Sequence, residues 1–449
     1  MNRDNPFITP FRGIHYHLGK ISDFSKVTAP PYDVISESLQ KKLYEISPCN
    51  IVRLDLGRQF PTDNEQNNRY TRAAKDLQSW LREGVLVRDE EPSYYLYEQI
   101  FEVAGKGRFQ RRGFFALRQL EEFDKGNILP HEKTLSGPKA DRLLLMKATQ
   151  SNLSSIFSLY SDPEQKMAAL LKPYFEKDPM IHFIDDYQIE HRLWRVSDPV
   201  LFQKTHEILG KKKLFIADGH HRYETGITYR NWRRSQEAPD SHEKAGYDSI
   251  LMFFAEMSDP GLLILPTHRV LQNWPGFDKN HFKQEISRFF EIKSFKPDQK
   301  EVFLKTLQES EKDHAFGVLL PGEAEMLLIT LSKQKGGGIP RLGDLPASLQ
   351  EVDTAILHES LFRGILGLGD VDEKNQKFLR FIKETDEAFK ARNESGVNCV
   401  FIMNCPQMDV LKKVTEEGLI LPPKTTYFYP KILTGLVLNQ LDTVPRVVI

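Results

Sequence analysis

At 449 residues the chain is longer than one core usually accommodates, which predicts two domains or one domain with a large extension. Hydrophobic residues at 40% and charged residues at 27% exclude a disordered or collagen-like chain. Lys plus Arg number 61 against 62 for Asp plus Glu, so a net charge of -1 offers no global field for nucleic acid or an anionic membrane, and any anion site must be local.

The start, Met1-Asn2-Arg3-Asp4-Asn5-Pro6, lacks an apolar signal region, and apolar runs such as residues 250–255 are too short to span a bilayer. A cytoplasmic location without a membrane partner is the expectation. Cys49, Cys399 and Cys405 lack Cys-x-x-Cys spacing, so neither a disulfide framework nor a thiolate zinc site is expected.

Residues 27–35 carry the pair Pro30-Pro31, which forces extended backbone before a loop with Asp33 at its tip. Ser36 is positioned to cap a helix over 36–46, and 50–57 alternates like a half-buried strand with Arg53 and Asp55 on its polar face. A helix over 70–83 is followed by strands over 94–103 and 111–117, joined through Gly105 and Gly107 as a hairpin. Polar segments over 127–134 and 136–142 then precede the apolar run 143–146. Strands are predicted over 185–196 and 213–217, and Asp218-Gly219 breaks the second before a helix over 220–234. A linker over 235–246 leads to 249–255, continuously apolar like a strand buried on both faces.

From about Phe277 amphipathic helices (281–290, 302–311) alternate with strands (315–320, 325–331), and Gly336-Gly337-Gly338 reads as a flexible joint. Helices over 353–366 and 375–392, a strand over 398–403 and an aromatic, basic loop over 422–431 complete the chain. The whole predicts a mixed α/β (α+β) fold, with an N-terminal α/β domain over 1–275 and a C-terminal α+β region over 276–449.

The strongest chemical pattern is Ala217-Asp218-Gly219-His220-His221-Arg222-Tyr223, between a strand and a helix, where unpaired amides and the helix dipole favour an anion. Gly219 permits close approach, Arg222 offers a bidentate fork for phosphate, and His220 and His221 can donate or shuttle protons. Asp218 can serve as a base, a magnesium ligand or a helix cap. Adjacent histidines point apart, so joint ligation of one metal is awkward. His131-Glu132 and His358-Glu359 fail the zinc-protease pattern at Leu135 and Phe362, although Glu132 could still do acid-base work. Lys139, Asp141 and Arg142 read equally as a phosphate and metal cluster or as a charged helix start. Thr267-His268-Arg269 follows a buried strand, where α/β proteins gather ligand residues, or is an ordinary exposed turn. No Walker loop, dinucleotide fingerprint or Gly-x-Ser-x-Gly elbow occurs.

Ala29-Pro30-Pro31-Tyr32-Asp33-Val34, Leu129-Pro130-His131-Glu132, Gly137-Pro138-Lys139-Ala140-Asp141-Arg142, the 217–225 segment and the 422–431 loop together resemble the prokaryotic family called domain of unknown function ten-fifteen, DUF1015, over nearly the whole chain. More remotely, Asp-Gly-His-His-Arg is similar to the phosphate-handling motif of the ParB and sulfiredoxin superfamily, which includes kinases of free serine. That resemblance implies a ParB/sulfiredoxin-like mixed-sheet core with a helix-rich C-terminal extension, and ATP or ADP, with CTP as a further option, as ligand. It implies that Asp218, His220, His221 and Arg222 contact phosphates and magnesium, with Asp33 deprotonating the acceptor hydroxyl and Glu37 competing for that role.

The resulting expectation is a magnesium- and nucleotide-dependent phosphotransferase acting on a small hydroxylated metabolite such as free serine. Its catalytic group is Asp33, Glu132, Asp218, His220 and His221. Phosphate contacts are expected from Gly219, His221 and Arg222, from Arg53, Lys139 and Arg142, and from Thr267, His268 and Arg269, with magnesium on Asp218 and Asp141. A nucleotide-sensing scaffold and a phosphate-ester or nucleotide hydrolase are the alternatives, and a homo-oligomer is compatible with each.

Overall fold

The computed structural model describes residues 8–103, 105–132, 136–236, 245–331, 338–369 and 377–441. Gly336 and Gly337 of the expected joint and 237–244 of the expected linker lie outside the described residues. The chain is mixed α/β and divides into two compact units. Met1–Pro130, Thr134–Leu263 and Pro430–Ile449 form the first; His131–Lys133 and Ile264–Tyr429 form the second.

The first unit is built on a nine-stranded mixed sheet among the described residues. Its order is Ile128–Leu129, Leu214–Asp218, Ile156–Tyr160, Ser249–Glu256, Gly107–Gln119, Tyr94–Val103, Glu190–Val196 and Ile181–Ile184, with Ile8–Thr9 beside Gly107–Gln119. The unbroken apolar run in Ser249–Glu256 fits a central strand, since both of its faces are covered. Its neighbours alternate: Tyr94, Leu96, Phe114 and Phe254 enter one core, and the Phe114 and Phe254 rings stack at 5.1 Å. Tyr97, Phe115, Phe157 and Phe253 pack together on the opposite face. Gly113 is fixed by this crowding, because a Cβ there would lie 2.3 Å from the Phe254 carbonyl oxygen.

The second unit carries a six-stranded antiparallel sheet among the described residues. The order is Phe290–Phe295, Met326–Leu331, Ala315–Leu319, Val397–Met403, His268–Gln272 and Leu379–Ile382. Successive residues serve opposite cores, with Leu271 and Phe401 in one and Val270 and Ile402 in the other. Leu357–Ile365 continues the short helix Asp353–Ile356 as a π-helix.

Three segments differ from their sequence patterns. Residues 50–57 hold the short helix Val52–Asp55 rather than a strand. The Asn50 side chain accepts from the Val52 amide at 2.9 Å and donates to the Lys26 and Thr28 carbonyls, starting a turn that alternation alone does not reveal. Within 375–392, Leu379–Ile382 is a strand and Thr385–Ala391 a short helix, because pairing with His268–Gln272 outweighs helix propensity. The 185–196 strand is the second arm of a hairpin that turns at Asp185, whose amide and the Ile189 carbonyl meet at 3.0 Å.

Asp89 illustrates how the first unit depends on buried charge. Burial raises its carboxyl, but hydrogen bonds from His15, Tyr95 and Arg195 outweigh it and hold the group down to about 2, from an ordinary 3.8. A depressed carboxylate stabilises the fold above its ordinary pKa and loses that contribution as pH falls toward the folded value, here roughly 2 kcal/mol. Denaturant titrations from pH 6 to pH 2 are expected to show that loss below about pH 4. Asp89→Asn should start less stable at neutral pH and have a shallower acid limb; an unchanged limb would remove Asp89 from the account.

Candidate functional site

In the first unit, the strand Leu214–Asp218 ends in an irregularity: pairing with Ile156–Tyr160 shifts register between Ile216 and Asp218, leaving Asp218 opposite Phe157. Bulges of this kind re-aim a side chain. Gly219 follows at φ +95°, a dihedral that favours glycine, and the helix His220–Gln236 begins at the next residue. A Cβ on Gly219 would lie 3.0 Å from Nε and Nη2 of Arg222, because that guanidinium folds back over the turn.

Arg222 is 8% exposed. Its Nη2 donates to Asp218 Oδ2 at 2.6 Å, and its Nη1 donates to the Ser155 carbonyl. Lys431 Nζ donates to the other Asp218 oxygen, Oδ1. Asp218 therefore lies between two cations. His220 is buried and His221 half-buried on the first turn of the helix.

A second set of charges adjoins this turn. Tyr32–Val34 forms a 3-10 turn after Pro31, and the Arg142 guanidinium lies 4.0 Å from the Tyr32 ring centroid. Arg142, on the helix Ser136–Thr149, donates through Nη1 to the Asp55 carbonyl at 2.8 Å and to Asp55 Oδ1 at 3.0 Å. Its Nε donates to Asp141 Oδ2 at 2.8 Å, while Asp141 Oδ1 accepts from Tyr70 at 2.8 Å and from Arg69. Burial raises the Asp55 carboxyl; Arg142 and Arg222 draw it down, Asp141 and Asp33 push it up, and it stays above its ordinary value. Burial also lifts the Tyr32 phenol to about 12, against the pull of Arg222 and Arg142. For Asp141 the burial penalty is outweighed by Arg142, Tyr70 and Arg69, so its carboxyl is lowered.

These electrostatic couplings bring Asp33, Asp55, Asp141, Arg142 and Arg222 into one neighbourhood, with Asp218 and Lys431 at its edge. Within it, Arg222 Nε, Asp55 Oδ2 and Ser155 Oγ are buried without a hydrogen-bond partner in the protein. Leaving one such atom unpaired costs about 1–3 kcal/mol, and a ligand oxygen that reached Arg222 Nε or Ser155 Oγ would remove that cost. The chemistry on offer is donation to an anion from Arg222 and the helix amides, with carboxylates alongside.

The other candidates have partners of their own. Arg53 donates to the Tyr44 carbonyl at 2.9 Å and stacks on the Tyr44 ring. Lys139 pairs with Glu224 at 2.8 Å. Glu132, Thr267, His268 and Arg269 belong to the second unit. There the Met403 amide donates to His268 Nδ1 at 3.1 Å, and burial followed by the Arg269 charge lowers that imidazole to about 4. Arg269, lowered by burial to about 9, donates to the Thr267 and Lys424 carbonyls and feels the charge of Glu132. His268 and Arg269 thus hold strands and loops of the second unit together.

Sequence reasoning missed Asp55, Tyr32, Arg69 and Ser155 as members of the site, and Lys431 as its second cation. Lys431 had one signal, its place at the end of the aromatic, basic loop.

Among the described residues no group of three or more His, Cys, Asp or Glu side chains could hold a metal. Magnesium does not require one, since it is commonly held by one or two carboxylates with phosphates and water completing its shell. The oxygens of Asp218 and Asp141 already face cations, so a magnesium ion at either would have to displace Lys431, Arg222, Arg69 or Arg142.

No curated relative matches the chain in sequence. Among solved structures it is similar to a conserved hypothetical protein from Pyrococcus furiosus, with 13% identity, covering 71% of this chain and 92% of that one, at a TM-score of 0.33. A free serine kinase in complex with AMP gives 12% identity, 70% and 86% coverage and a TM-score of 0.33. SbnI with a C-terminal truncation, from Staphylococcus aureus, gives 11% identity, 71% and 85% coverage and a TM-score of 0.33. Likenesses this distant carry no weight for function. The family model described as Protein of unknown function (DUF1015) matches residues 8–355, most of the sequence, and the chain belongs to that family.

Proposed function

We propose that the first unit binds a nucleotide by its phosphates and transfers a phosphoryl group to the hydroxyl of a small metabolite, free serine being the first acceptor to try. The observation that carries this reading is the buried Arg222 guanidinium, its Nε without a protein partner, folded over a positive-φ glycine at a helix N-terminus. The Asp-Gly-His-His-Arg pattern, which contains the same Gly219 and Arg222, agrees with it.

Arg222 and the first amides of His220–Gln236 hold phosphate oxygens, with His220 and His221 on the same first turn. Asp33, exposed at the tip of its loop, takes the proton of the acceptor hydroxyl. The hydroxyl oxygen forms the new bond to phosphorus, the bond from phosphorus to the bridging oxygen breaks, and its electron pair leaves with the shortened nucleotide. Such a transfer depends on positioning and charge neutralisation. Asp218 or Asp141, released from a cation partner, would hold a magnesium ion arriving with the nucleotide, and that ion would supply positive charge to the phosphates. Glu132, Thr267, His268 and Arg269 are given no part in this reaction.

Purified protein incubated with ATP or ADP, magnesium and a panel of hydroxy-metabolites should consume nucleotide and yield a phosphorylated acceptor. Release of inorganic phosphate without an acceptor would favour hydrolysis, and saturable binding without turnover would favour a sensor. Asp33→Asn should lower turnover on the order of 100-fold while nucleotide Kd stays within about twofold; a matching fall in affinity would make Asp33 a binding residue. Gly219→Ala, strained at φ +95° and pressed against Arg222, should weaken nucleotide binding at least about tenfold by calorimetry and cost about 1–2 kcal/mol of stability.

A further inference from the structure

Lys431 reaches Asp218 on a segment that other contacts already secure. Thr434 pairs with Ala29, Leu438 with Ile14, and Asn439–Gln440 with Ser151 and Asn152. Two fully buried side chains of the central hairpin, Gln99 and Arg111, clamp the segment where the lysine leaves it. Arg111 Nη2 donates to the Pro430 carbonyl and to Gln99 Oε1, and Gln99 Nε2 donates to the Lys431 carbonyl at 3.1 Å. The Arg111 guanidinium lies 4.9 Å from the ring centroid of Phe157, the residue paired with Asp218.

Burying a guanidinium is costly. Backbone pairing further along would hold the segment without it, whereas the two clamped carbonyls fix where the Lys431 side chain starts. Asp218 has Arg222 as a partner on Oδ2, so the pair on Oδ1 is not needed to compensate its charge. With side chains 11% and 15% exposed, Lys431 and Asp218 keep some contact with solvent. Two cations set on the two oxygens of one carboxylate are placed to serve two neighbouring oxyanions.

We infer that Lys431 is the specificity-determining residue for a second phosphate of the ligand, with Gln99 and Arg111 as its positioning residues. The inference rests on the nucleotide reading. Arg222 and the helix amides hold one phosphate, and Lys431 exchanges Asp218 for an oxygen of the next. The site thereby distinguishes nucleoside diphosphates and triphosphates from monophosphates.

Calorimetric titration of the full chain with ADP and with AMP tests this. Lys431→Ala should weaken ADP roughly tenfold and leave AMP within about twofold, and Lys431→Arg should recover much of the ADP affinity. Gln99→Ala should reproduce the selective loss of ADP, which a general folding defect would not do; equal losses for both nucleotides would remove Gln99 as a positioning residue. Equal weakening of ADP and AMP in Lys431→Ala, or no change in either, overturns the role of Lys431 while leaving nucleotide binding intact. Wild-type protein that binds neither nucleotide overturns the nucleotide reading itself.

Discussion

The carboxylate of Asp218, held between Arg222 and Lys431, joins stretches of chain that are far apart in sequence. Arg222 belongs to the helix that starts beside Asp218, and Lys431 comes from the segment that rejoins the first unit near the end of the chain. Arg222 also reaches the Ser155 carbonyl, and its charge is felt by Asp55 and Tyr32. Removing Asp218 would leave two cations facing each other in a partly buried place. Coulomb repulsion there is several times stronger than in water.

The surrounding charges follow the same logic. Arg142 is almost wholly enclosed and is tolerated because Asp55 and Asp141 both face it and the Tyr32 ring covers one side. Asp55 bears the residue of that bargain: its carboxyl remains raised, and its second oxygen is unpartnered. A group that folding leaves only partly satisfied is one that a ligand can satisfy. The same neighbourhood can therefore be both a stability cost in the free protein and the source of affinity in the bound one.

Much of the first unit was legible in the sequence because its signals are local. The apolar run 249–255, the hairpin glycines, and the strand, glycine and helix around Asp218 each carry their own pattern. The place of Arg222 on the first turn of that helix could be read from its position alone. The rest depends on contacts between distant residues. Alternation over 50–57 suggested a strand, but the Asn50 side chain starts a helical turn and delivers Asp55 to Arg142. Thr267-His268-Arg269 had the composition of a ligand site, and in the structure His268 and Arg269 make hydrogen bonds within the second unit that no local pattern announces. Nothing near Lys431 in sequence announces Asp218 as its partner, since the pairing is created by the clamp of Gln99 and Arg111.

On the nucleotide reading, phosphate oxygens sit at the turn between Asp218 and His220. A crystal structure of the full chain grown with ADP and magnesium tests it most directly. Phosphate density is expected against the first amides of the helix His220–Gln236, within hydrogen-bonding reach of Arg222 Nε. Nucleotide bound elsewhere, with Arg222 and Asp218 undisturbed, would contradict it.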